Sequence, residues 1–252
     1  MAVVARGKIR LWDGIGLWLL KGETASSNVE LHAHHAVQIT LCLDGAFELK
    51  AGAARLSGPA AIVAADIPHE FWGHGTVAFL FVEPESALGR SIAGQWLGDR
   101  PHANIESPSA GACIAALRDA SLHDDGLERT VRDFLTALAG TEAPQPPHAR
   151  VAAMIDFAAH NLDGPVSIDS AASHVAVSPS RASDLFVDHS GLPFKSYVLW
   201  LRLRKAVEAY SGGANLTDAA HASGFSDSAH LSRTFKRMFG ITASSLSVNR
   251  AA

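Results

Sequence analysis

The sequence predicts an α+β chain of two domains: a small barrel of β-strands with appended helices, then an all-helical domain built on a duplicated unit. Three observations predict it. Residues up to about 82 alternate short apolar runs with glycine turns. From about Ser107 the apolar period becomes that of a helix. Finally, two C-terminal stretches fall into register when one is shifted by 49 residues.

A chain of 252 residues that is 48% hydrophobic supplies two cores. No apolar run reaches the ~18 residues needed to span a bilayer. Met1-Ala2-Val3-Val4-Ala5-Arg6 lacks the apolar stretch and cleavage site of a secretory leader. Cys42 and Cys113 match no zinc or redox spacing. A cytoplasmic protein without membrane association is expected. The net charge of −4 is unevenly divided: residues 1–148 carry 11 Lys+Arg against 17 Asp+Glu, and residues 149–252 carry 10 against 8. The mild positive balance of the second part points toward nucleic acid.

In the first domain, Val37–Leu43 and Ala46–Leu49 flank Asp44-Gly45, the dipeptide of a tight hairpin. Ala60–Ala64 and Val77–Val82 read as buried strands, and short strands with glycine turns suggest a sandwich or small barrel. Further on, Ala112, Ala115, Ala116 and Leu117 make one apolar helical face, and Leu127, Val131, Phe134, Leu135 and Leu138 a second. These helices either cover the open side of the barrel or pack against a second copy. The prolines of Gly140–His148 favour an extended spacer. The expected division is therefore 1–140, a linker at 141–149, and 150–252.

The duplication pairs Asp169 with Asp218, Ala171 with Ala220, Ser183 with Ser232, Phe186 with Phe235 and Gly191 with Gly240. Each copy reads as a helix-turn-helix. In the first, Ser167 caps a helix, Val175-Ala176-Val177 turns, Ser178-Pro179 starts a second helix and Gly191 ends it. In the second, Thr217 is the expected cap, Gly224–Asp227 the turn, and Ser226 or Asp227 caps the helix that Gly240 closes. The exposed face of the first copy offers Ser180, Arg181, Ser183 and Asp184; that of the second offers Ser228, His230, Arg233, Lys236 and Arg237. Side chains near the start of such a helix read base edges in the major groove, and Lys and Arg neutralise phosphates. The helix between the copies has roughly 18 residues and so spans about 27 Å. That approaches the ~34 Å of one DNA turn.

These residues carry a family resemblance. The block from about Val151 to Val248 resembles the DNA-binding domain of the AraC/XylS transcription regulators. Gly224–Asp227, His230–Lys236 and Phe239–Thr242 match the family signature, and Pro193–Tyr197 leading into Leu201–Ala206 matches its linker helix. The resemblance implies that both recognition helices enter successive major grooves of double-stranded DNA. Two departures stand out. Asp184 occupies a position that is often basic, where a carboxylate is repelled by phosphate unless it reads a cytosine amino group. Ala243 replaces a proline.

The first domain is rich in histidine. His32 and His34 share one side of a strand, because the strand period is two. With His69 they would supply three neutral imidazoles, and Gln38 an oxygen: a donor set for Zn, Ni, Cu or Fe. His35 points the other way and is expected in solvent. The spacing resembles the cupin metal motif, with Gln38 in place of its Glu and Asp66 in place of the glycine three residues before His69. Sensor domains of AraC-type proteins are often cupin-like, which implies a small-molecule or metal effector in the barrel. Trp18, Phe71, Trp72 and Phe81 are candidates to line its pocket, although each also reads as simple core.

The resulting expectation is a non-enzymatic, dimeric transcription regulator acting on DNA and RNA polymerase, with activation or repression left open. Two alternatives stand beside it. One is a metal-dependent cupin enzyme, for which Glu70 is the only carboxylate adjacent to the histidines. The other is a dimeric regulator that responds to no ligand.

Overall fold

A computed structural model of the chain describes residues 5–22, 27–119, 124–142, 144 and 146–248. The linker residues Ala143 and Gln145 lie outside the described residues. The chain forms two compact units: Met1–Pro144 together with Phe235–Arg250, and Gln145–Thr234.

Unit 1 is built on one sheet. Its strands are β1 (Ala5–Trp12), β2 (Ile15–Gly22), β3 (Ser27–His32), β4 (Val37–Ala51), β5 (Ala54–Ser57), β6 (Ala60–Val63), β7 (His69–Val82), β8 (His102–Asn104) and β9 (Leu246–Val248). They run in the order β8-β6-β4-β7-β2-β1-β9, with β3 on β7 and β5 on β4. All pairings are antiparallel except that of β9 with β1. Three helices accompany the sheet: α1 (Ala87–Trp96), α2 (Pro108–Leu117) and α3 (Asp124–Ala139).

The paired stretches 37–43 of β4 and 77–82 of β7 are largely buried on both faces, so they read as near-continuous apolar runs. Ile39, Leu41, Leu43, Ala78, Leu80 and Val82 share a core with Ile92 of α1, Ile114 and Leu117 of α2, and Val131, Phe134 and Leu135 of α3. The alternate residues Phe47, Leu49, Phe71 and Val77, with Ala61 and Val63 of β6, form a separate core on the other face. The helices thus bury their apolar faces against the chain's own sheet. The buried side of α2 is Ala110, Cys113, Ile114 and Leu117, whereas Ala112 and Ala115 of the expected face are exposed. The expected α3 face is buried throughout.

Asp44-Gly45 is not a hairpin turn. β4 runs straight through it, and the register against β7 shifts between Cys42 and Asp44. Gly45 pairs with Gly75, at φ 83° and 88° respectively. A Cβ on Gly45 would lie 2.9 Å from the His74 carbonyl carbon, and one on Gly75 would lie 2.7 Å from that of Asp44. A bulge needs the same left-handed, side-chain-free residue that a tight turn needs, so the dipeptide alone does not distinguish them.

Unit 2 contains α4 (Ala149–His160), α5 (Ile168–His174), α6 (Pro179–Ser190), α7 (Phe194–Ser211), α8 (Leu216–Ala222) and the first part of α9 (Ser228–Phe239). Among the described residues, no helix is long and apolar enough to cross a membrane.

Candidate nucleic-acid interface and histidine cluster

In the first copy, Ser167 and Ser170 cap α5 reciprocally. The Ser170 amide donates to Ser167 Oγ at 3.2 Å, and the Ser167 amide to Ser170 Oγ at 3.1 Å. Ser178 Oγ accepts from the Arg181 amide at 3.3 Å, and Pro179 follows as the first helical residue. Ala171, Ala172 and Ala182 are buried, as small side chains must be where two helices cross closely. Phe186 meets the edges of Phe194 at 5.0 Å and Tyr197 at 5.3 Å, fixing α6 against α7. Ser180, Arg181, Ser183 and Asp184 all lie exposed on α6. Arg181 and Asp184 form no ion pair among the described residues.

The second copy departs from strict repetition at one end. Asn215 caps α8, its Oδ1 accepting from the amides of both Thr217 and Asp218 at 2.9 Å. Thr217, the expected cap, lies inside the helix. The first helices of the two copies therefore start 48 residues apart and the second helices 49, the extra residue falling in the turn. Asp227 Oδ1 caps α9 by accepting from the His230 amide at 2.7 Å. That bond, followed by one from the Ser226 hydroxyl, holds the Asp227 carboxyl below the usual range.

On α9, Arg233, Lys236 and Arg237 are exposed, while Ser228 and His230 are half-buried. The His230 ring packs edge-on against Phe225 at 5.1 Å. Lys236 lies in the part of α9 that groups with unit 1, where its ammonium pairs with Glu30 Oε2 at 3.1 Å. α7 has 18 residues, about 27 Å, and packs against α6 and α8. Two of its basic residues hold it to the α4–α5 connection. Arg202 Nη2 donates to the Gly164 carbonyl at 3.2 Å, and Lys205 pairs with Asp163. The sequence pattern did not reveal these ties, since their partners lie about 40 residues away.

In unit 1 the sheet brings the predicted histidines together. The ring nitrogens of His32, His34 and His69 lie within 4.8 Å of one another, and all three residues are buried. Nδ1 of His32 donates to the Glu30 carbonyl and Nδ1 of His69 to that of Ile67, each at 2.8 Å. These backbone bonds leave Nε2 of both rings as the ligating nitrogen. Gln38 Oε1 lies 3.0 Å from His34 Nε2 and 3.3 Å from His69 Nε2. Its amide group is oriented by donation to Thr40 Oγ1 at 3.1 Å. Burial, reinforced by mutual repulsion, pushes His32 down to about 3 and His34 well below its usual value; burial also lowers His69. Three neutral imidazoles grouped this closely could hold a metal ion.

His35 is not solvated as its parity suggested; it is 3% exposed. Nδ1 pairs with Asp66 Oδ2 at 2.6 Å and Nε2 with Glu85. Burial works against the charged ring, but the two carboxylates outweigh it and raise it to about 9. Asp66 adopts φ 62°, which accounts for the glycine usual at this position. Aspartate tolerates the left-handed region and here uses its carboxylate to hold His35.

Of the candidate pocket residues, Trp18, Phe71 and Phe81 line one interior space together with Phe79, His32 and Gln38, and its volume is only about 40 Å³. Trp18 meets Phe81 edge-on at 5.3 Å. Trp72 is not part of it: as the neighbour of Phe71 on β7 it faces the other side of the strand.

Comparison with known proteins agrees with this arrangement. A family model described as a helix-turn-helix domain matches residues 171–247. YpdC of Escherichia coli, named as an HTH-type transcriptional regulator, is 33% identical over 85 residues, 32% of this chain and 29% of that protein. GlxA of Rhizobium meliloti, also named as an HTH-type transcriptional regulator, is 31% identical over 100 residues, 39% of this chain and 31% of its own. The chain thus spans under a third of these relatives, which are named as regulators rather than enzymes. ToxT of Vibrio cholerae has the same fold, with a TM-score of 0.60 at 10% identity over 92% of this chain and 96% of that one. Residues 171–247 are therefore a helix-turn-helix domain, carried in a chain with the fold of ToxT.

Proposed function

We propose that the protein is a sequence-specific DNA-binding transcription regulator whose α6 and α9 enter successive major grooves. The observation that carries this reading is the pair of 12-residue helices displaying polar and basic faces on either side of an 18-residue spacer. Arg181, Arg233 and Arg237 would contact bases or phosphates, Ser180, Ser183, Ser228 and His230 would line the same faces, and Asp184 would suit a cytosine amino group. Lys236 is held by Glu30 and contributes less. A homodimer, acting with RNA polymerase, completes the reading.

The space beside the histidines suits an ion. A void of about 40 Å³ holds some three waters. ToxT, in contrast, has been solved with an unsaturated fatty acid bound. His32, His34 and His69, with Gln38, would hold one Zn, Ni, Cu or Fe ion, tying β3 and the start of β4 to β7. The ion would regulate only by favouring one arrangement of the protein over another.

Fluorescence anisotropy against DNA selected from a random pool by the purified chain tests the main reading. Arg233→Ala should weaken binding by about 1–3 kcal/mol at fixed salt. Equal affinities would sink the assignment. Plasma mass spectrometry of untagged protein tests the ion: about one equivalent in the wild type and none in the His32→Ala/His34→Ala variant is expected, and equal contents would refute the ligand set.

A further inference from the structure

The second helices of the two copies match residue for residue. α6 (Pro179–Ser190) and α9 (Ser228–Phe239) each have 12 residues and start 49 apart. Their buried positions coincide: Ala182, Leu185 and Phe186 in α6 correspond to Leu231, Thr234 and Phe235 in α9. The matched exposed positions carry opposite chemistry. Where α9 has Arg233, Lys236 and Arg237, α6 has Asp184, Val187 and Asp188. One copy thus offers hydrogen-bond donors, and the other offers acceptors beside an apolar group.

Val187 is 40% exposed, and Leu31 is the other exposed large hydrophobic among the described residues. A lone apolar residue on a surface means little by itself. Val187, however, stands one helical turn from Asp184 and two from Ser180, on the exposed stripe that a recognition helix turns toward base edges. In the major groove a carboxylate accepts from the cytosine N4 amino group, and an apolar side chain packs on the thymine C5-methyl group. Guanine presents only acceptors there, which repel a carboxylate. Adenine sets its N7 acceptor beside its amino group and carries no methyl.

We infer that α6 reads pyrimidines: Asp184 accepts from the N4 amino group of a cytosine, and Val187 packs on the C5-methyl group of a thymine. The inference rests on the proposed DNA-binding reading and names the bases that its first recognition helix takes. Three residues of helix rise about 4.5 Å. That is little more than the ~3.4 Å between successive bases of a strand, so the two pyrimidines belong to neighbouring base pairs. On α9, Arg233 and Arg237 suit guanine acceptors and phosphates instead.

Fluorescence anisotropy on the full chain, with a duplex selected from a random pool, tests it. Each thymine is replaced in turn by deoxyuridine, which keeps the pairing and removes the methyl group. One replacement should weaken wild-type binding about fourfold, the effect of one methyl group left in water. Val187→Ala should bind the thymine and deoxyuridine duplexes equally. At a neighbouring C·G pair, exchange for T·A should cost the wild type at least fivefold, and Asp184→Ala should tolerate it. Arg233→Ala should weaken binding yet keep the deoxyuridine effect. Three results would overturn the inference: no thymine sensitive to methyl removal, an undiminished deoxyuridine effect in Val187→Ala, or no C·G pair whose exchange Asp184→Ala tolerates. If Arg233→Ala still weakens binding in those cases, DNA binding stands and only the assignment of bases to α6 falls. Failure to select any sequence would remove both.

Discussion

Replacing Gly45 separates the bulge in β4 from the hairpin that the Asp-Gly dipeptide suggests. At φ 83° an L-residue costs about 1–2 kcal/mol. A Cβ there also overlaps the His74 carbonyl, which belongs to the β7 backbone and cannot swing away. Relief requires opening the β4–β7 ladder beside Gly75, at about 1 kcal/mol for each hydrogen bond lost. Gly45→Ala should therefore destabilise unit 1 by about 3 kcal/mol. Gly45→Asn should be nearly as harmful, although asparagine tolerates positive φ, because the overlap remains. Gly52 is the control: its φ is 60°, and a Cβ added there would meet nothing within 4 Å. Gly52→Asn should cost only a few tenths of that amount. Urea unfolding followed by tryptophan emission reports mainly on unit 1, since Trp12, Trp18, Trp72 and Trp96 lie there and only Trp200 lies in unit 2. With a slope of about 2 kcal/mol per molar urea, the midpoint should fall by about 1.5 M for either Gly45 variant. Equal midpoints for Gly45→Asn and Gly52→Asn would show that position 45 is a free turn.

The His35 clamp makes unit 1 sensitive to alkali. Its folded value of about 9 exceeds the ordinary 6.5, so its stabilising contribution, at most about 3 kcal/mol, is complete below pH 6.5 and disappears as pH rises through 9. His35→Gln should flatten the fall in urea midpoint between pH 6.5 and 9, and an unchanged slope would mean that the ring is neutral. At the start of α8, Asn215→Ala should cost about 1 kcal/mol and Thr217→Ala close to nothing. The reverse order in thermal melts would restore the cap to Thr217.

Much of the second unit follows from local chemistry. Ser167, Ser178 with Pro179, and Gly191 mark helix ends because capping bonds join residues two to four apart, and the structure places them as expected. The paired alanines and Phe186 were readable for the same reason: helix–turn–helix packing occurs within some twenty residues. The one slip was Thr217 for Asn215: both are capping residue types and stand two positions apart, and the structure gives the capping bonds to Asn215. Charged residues of α7 were harder to interpret. Arg202 and Lys205 hold the α4–α5 connection, a pairing that no helical periodicity encodes.

The duplication, the helix ends of the second unit and the shared side of His32 and His34 were legible in the sequence, because each depends on a short-range period or a capping bond; the continuous β4 was not, because Asp44-Gly45 suits a turn and a bulge alike. Only the tertiary structure decided what the sheet brings together. His69 meets His32 because β7 pairs with β3, and Gln38 turns its oxygen toward the rings because Thr40 takes its amide. His35 is buried and charged because Asp66 and Glu85 arrive from loops 31 and 50 residues away. Strand parity told which way His35 points; it could not tell that two carboxylates would be waiting there.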